Sequence, residues 1–62
     1  MELYKLLQKR KLMVRKYWDA QVNTRISKTE EELIKNEIIE KKIHDQLAKL
    51  ENEIQHEINM NY

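Results

Sequence analysis

Apolar residues recur at helical spacing through most of the chain. Leu33, Ile39, Ile43, Leu47, Leu50, Ile54 and Ile58, stepped at ~100° per residue, fall within a sector of roughly 120°, the mark of an amphipathic helix with one buried stripe. Leu3, Leu6, Leu7, Met13, Val14, Tyr17, Trp18 and Ala20 occupy about 160° on the same construction and predict a first helix. A strand alternates with period two and produces neither pattern. Two residues break the first stripe. Arg10 sits within the apolar sector, where a charge needs a partner, and Leu12 stands on the opposite, basic face. Tyr17 and Trp18, at helical spacing with Met13 and Val14, are expected as the large anchors of a core rather than as a platform for stacked bases.

The periodicity lapses between Val22 and Glu30. Asn23, Thr24, Ser27 and Thr29 lie there, and such side chains compete for backbone hydrogen bonds and favour caps and turns. Ser27 followed three residues later by Glu30, and Thr29 by Glu32, predict two overlapping capping boxes, with Glu30 to Glu32 suiting the positive end of a helix dipole. Asn23 is a candidate for a left-handed residue ending the first helix. The expected fold is an all-α, two-helix antiparallel hairpin, with helix 1 over about 2–22 and helix 2 over about 28–59, forming a single domain over residues 1–62. Gly and Pro are absent, so the alternative is one continuous coiled-coil helix, about 93 Å long at 1.5 Å per residue.

A chain of 62 residues has little apolar surface to bury. It has no cysteine, so neither a disulfide nor a thiolate metal site reinforces it. Association is the remaining route to stability. Helix 2 is expected to outrun helix 1 by about ten residues, leaving Leu50, Ile54 and Ile58 to self-associate, as in a dimeric four-helix arrangement.

The net charge of +1 conceals an asymmetry: residues 1–28 hold eight basic and two acidic side chains, and residues 29–62 hold four basic and nine acidic ones. Opposite signs favour folding back, although each exposed pair is worth under about 1 kcal/mol. Glu31–Lys35, Glu37–Lys41 and Asp45–Lys49 have the spacing of surface pairs along helix 2. Folding about residue 25 sets Arg10 opposite Glu40, which intrudes into the second stripe. These two are expected to form an interhelical pair that fixes alignment more than stability.

Chemistry is sparse. Without glycine there is no phosphate-cradling loop, and His44 and His56 are separated by about 120° around a helix with no further ligand at metal-binding spacing. The carboxylates are surface charges with no cleft around them. No catalytic, cofactor-binding or metal site is expected, and the chain does not read as an enzyme. The longest apolar run, Leu12-Met13-Val14, is far short of the roughly 20 residues that span a membrane. No apolar core of a secretory signal stands at the N-terminus. A cytoplasmic location is therefore expected, and a membrane partner is not.

The functional expectation is a non-catalytic protein–protein interaction module, a small regulator, adaptor or assembly factor. Lys5, Lys9 and Lys16 around Leu12 are its candidate partner-binding face, because an apolar side chain among lysines fits an acidic, partly apolar protein surface. Ile34 and Ile38 form a second small patch. They are expected to pack around the turn with Val22 and Ile26, the alternative being a docking patch. The rival functional class is a nucleic-acid-binding hairpin that uses the basic face of helix 1, where Lys9-Arg10-Lys11 and Arg15-Lys16 cluster.

Overall fold

The structure, a computed structural model, describes residues 2–61. Two α-helices, α1 (Glu2–Arg25) and α2 (Glu30–Asn61), pack antiparallel as an all-α hairpin. At 1.5 Å per residue a 32-residue helix is about 48 Å long, and the molecule measures 48 × 14 × 11 Å. α2 therefore sets the length and α1 lies along it. A continuous helix would be nearly twice as long.

The turn is built from polar side chains. Thr29 caps α2: its Oγ1 accepts from the Glu32 N–H at 3.1 Å, and its carbonyl accepts from the Leu33 N–H at 3.0 Å. The Glu32 carboxylate reaches back to the Lys28 N–H at 3.0 Å, one residue earlier than in the standard box. The second expected box, Ser27 to Glu30, gives way to a different bond. Ser27 Oγ donates to the Asn23 carbonyl at 2.9 Å and accepts from Asn36 Nδ2 at 2.8 Å, while Asn36 Nδ2 also donates to the Asn23 carbonyl at 3.2 Å. Asn36 thus clips the start of α2 to the end of α1. Asn23 remains helical, and no described residue has a positive φ, so the predicted left-handed cap is not used.

Side chains withdrawn from water follow a three-four alternation with one extra member. On the α1 side they are Leu3, Leu6, Met13, Tyr17, Ala20, Thr24 and Ser27, with exposed Arg10 filling the one gap in the series and half-buried Gln21 standing beside it. On α2 they are Asn36, Glu40, Ile43, Leu47, Leu50, Ile54 and Glu57. This is the seam of an antiparallel coiled coil. Only Ala20, Leu50 and Ile54 among the described residues are buried outright. Toward the open end the seam is mostly apolar, with Glu57 a polar member there, and toward the turn it is polar. There Thr24 Oγ1 shares its hydrogen between the Ala20 carbonyl and Glu40 Oε2, each at 3.0 Å.

Two expectations are corrected by the register. Thr24 meets Glu40, and the Tyr17 and His44 rings lie 5.6 Å apart, so the numbers of facing residues add to about 62 rather than to the 50 assumed for a fold about residue 25. Arg10 is 14 residues before Thr24, about 21 Å along a helix, and the Arg10–Glu40 pair therefore does not form. Likewise Leu50 and Ile54 are not in an overhang. Each is 4% exposed within the single chain, because α1 runs far enough back for Glu2 and Leu6 to share a groove with His56 and Glu57. Of the expected self-association set only Ile58 is left partly open, at 37%.

Candidate interaction surfaces

The hairpin presents three exposed faces that carry apolar side chains. The first contains the predicted partner-binding residues. Lys5, Lys9, Leu12 and Lys16 are all exposed and fall within about 60° of one another around α1, with Leu12 62% open to solvent. This row borders the crevice between the helices. Lys9 and Met13 line a shallow groove with Gln46, Lys49, Leu50 and Glu53, and Lys16, Ala20 and Asn23 line another with Asn36, Ile39 and Ile43. Two residues missed in the sequence thereby join the face. Lys49 adds a cation from α2, and Ile39, expected in the buried stripe, is exposed beside Lys16.

The second face is the outer surface of α2 near the turn. Ile34 and Ile38 line a shallow depression with Thr29, Glu31, Glu32 and Lys35. They do not pack around the turn. Ile26 is exposed as well, because the four-residue connection from Ile26 to Thr29 is closed by the Asn36 clip rather than by an apolar cluster.

Three members of the third face, Leu7, Val14 and Trp18, were assigned to the core in the sequence. With Tyr4 they project on the side of α1 opposite the lysine row, and Trp18 is 65% exposed. Tyr17 is half-buried against His44, so only one of the two expected aromatic anchors enters the seam. A signal was available: a 160° apolar sector is wider than one neighbouring helix covers, since a coiled-coil seam needs only a narrow stripe.

Electrostatic contacts on these faces are loose. His44 Nδ1 lies 3.7 Å from Asp45 Oδ1, and none of Glu31–Lys35, Glu37–Lys41 and Asp45–Lys49 closes to 4.0 Å. Among the described residues no group of three or more His, Cys, Asp or Glu side chains is placed to hold a metal ion. No described helix is long and apolar enough to cross a membrane.

Fold and surfaces together define a class: a two-helix hairpin with a thin core and several apolar faces turned outward. No protein-family model, curated protein or solved structure matches the chain.

Proposed function

We propose that this chain is a non-catalytic protein–protein interaction module whose lysine-bordered crevice takes an acidic, partly apolar segment of a target protein. The observation that carries this reading is Leu12, widely exposed and ringed by Lys5, Lys9 and Lys16, with Ile39 and Lys49 added from α2. Isolated exposed leucines are common, but here the leucine lies on a face with a second apolar side chain, Ile39, and four lysines, with Glu53 among the groove residues. A helix with acids on one edge and leucines on the other satisfies both features, in the manner of helix-in-groove recognition. A nucleic acid would engage only the lysines.

The test uses two probes on the full chain, an acidic amphipathic helical peptide and a generic nucleic-acid duplex. The peptide is expected to bind, with Leu12→Ser weakening it by roughly five- to tenfold at unchanged helicity, in proportion to the apolar area removed. Lys9→Gln and Lys16→Gln should slow association chiefly at low salt. If instead the duplex binds, Leu12→Ser is silent and each lysine change lowers the salt slope by about one unit, the nucleic-acid reading replaces this one.

A further inference from the structure

We propose that the face of Tyr4, Leu7, Val14 and Trp18 is covered by a second copy of this chain, forming a four-helix bundle in which both turns lie at the same end. This goes beyond the target-binding reading and uses the opposite side of the molecule.

The first ground is area. The chain exposes 5489 Å², whereas a compact folded chain of 7.7 kDa exposes about 4,300 Å². Hiding the excess of about 1,200 Å² on each of two copies buries about 2,400 Å², within the range of obligate homodimers. No large side chain among the described residues is fully buried, so the hairpin alone lacks the core that such an association supplies.

The second ground is position. The exposed row on α1 lies about 100° around the helix from the seam. The Lys9 and Lys16 grooves occupy the other side of the seam on both helices, so the flank of α2 that shares the free side is the series from Leu33 through Glu37, His44, Ala48 and Glu51 to Ile58. It too lies about 90° from the seam. Each helix therefore has one occupied direction and one free direction at nearly a right angle to it, the geometry of a square four-helix bundle.

The third ground is register. A two-fold axis parallel to the helices keeps every residue at its own height, so α1 of one copy meets α2 of the other with the numbering already seen inside the hairpin. Facing residues again add to about 62. That sets Tyr4 beside Ile58 of the second copy, Leu7 beside its Gln55, Lys11 beside its Glu51, Val14 beside its Ala48, Trp18 beside its His44 and Arg25 beside its Glu37. Tyr4 and Val14 meet an apolar and a small residue, Leu7 meets the methylene stem of a glutamine, the indole meets an imidazole ring, and both charge pairs are of opposite sign. Packing α1 on α1 would instead bring together two helices that each carry seven basic residues and two acidic ones. The interface is isologous, as a closed dimer requires.

The experiment is light scattering and sedimentation of the full chain with two charge-swapped forms, Lys11→Glu and Glu51→Lys. The unmodified chain should show twice the mass of one chain at 100 µM. Each swapped homodimer juxtaposes like charges, whereas a mixture of the two forms restores both pairs, so heterodimers should outnumber the two homodimers together by at least about threefold, where chance gives equal numbers. Trp18→Glu should weaken dimerisation by roughly a hundredfold. A monomer at 100 µM overturns the proposal. So does a dimer in which mixing yields only the statistical share of heterodimers, because the pairs would then not lie across copies. A dimer that survives Trp18→Glu unchanged also overturns it, whether or not the variant loses helix.

Discussion

At the scale of single residues, the turn shows which local signals decide and which are overridden. Thr29 and Glu32 were legible because a threonine three positions before a glutamate satisfies backbone donors whatever lies around them. Asn23 and Ser27 were not, because Asn36, 13 residues beyond Asn23, binds both, and no local rule reveals a partner at that distance. Thr29→Ala should lower stability by about 1 kcal/mol, read as a fall in Tm of roughly 4–8 °C for a domain of this size. The register makes a sharper statement. In double-mutant cycles Thr24→Val and Glu40→Gln should couple by more than about 0.5 kcal/mol, while Arg10→Met and Glu40→Leu should add within about 0.3–0.5 kcal/mol, as distant sites do. Coupling between Arg10 and Glu40 with none at Thr24 would shift the register back by about three to four turns and undo the seam described above.

At the scale of elements, both helices and their antiparallel pairing follow from periodicity, caps and the opposite charge of the two halves. The buried positions followed only in part. Ile43, Leu47, Leu50 and Ile54 belong to both the expected stripe and the observed seam, whereas Leu33, Ile39 and Ile58 lie to its flanks. A 120° sector of apolar residues is broader than the line of contact, and the line itself includes Thr24, Asn36, Glu40 and Glu57, which a search for hydrophobic residues passes over. The three-four spacing of the seam, polar members included, was the better guide. The difference is measurable by chemical denaturation. Ile54→Ala removes a side chain buried at 4% exposure and should cost about 2–5 kcal/mol. Ile39→Ala, beside the crevice, should cost less than about 1 kcal/mol and so leave the hairpin intact for binding tests. Equal losses at the two sites would place Ile39 in the core after all.

At the scale of the whole molecule, what the sequence conveyed was an excess of apolar surface over what one thin hairpin can bury. Where that surface lies depends on which side of α1 the seam takes, and side-chain spacing alone left the aromatic row and the seam merged in one sector. Once α2 occupies its direction, the lysine row with Leu12 and the row ending in Trp18 separate to opposite sides of α1, one proposed for an acidic target and the other for a second copy. The chain has a single tryptophan, placed on the proposed association face and 65% exposed in the isolated hairpin. Its emission, followed from nanomolar to 100 µM protein at constant salt, is the most direct measurement of the account. The spectrum should shift to the blue along a saturable curve whose midpoint coincides with the doubling of mass. Emission that stays at the position of a water-exposed indole across that range would mean that no second copy covers Trp18.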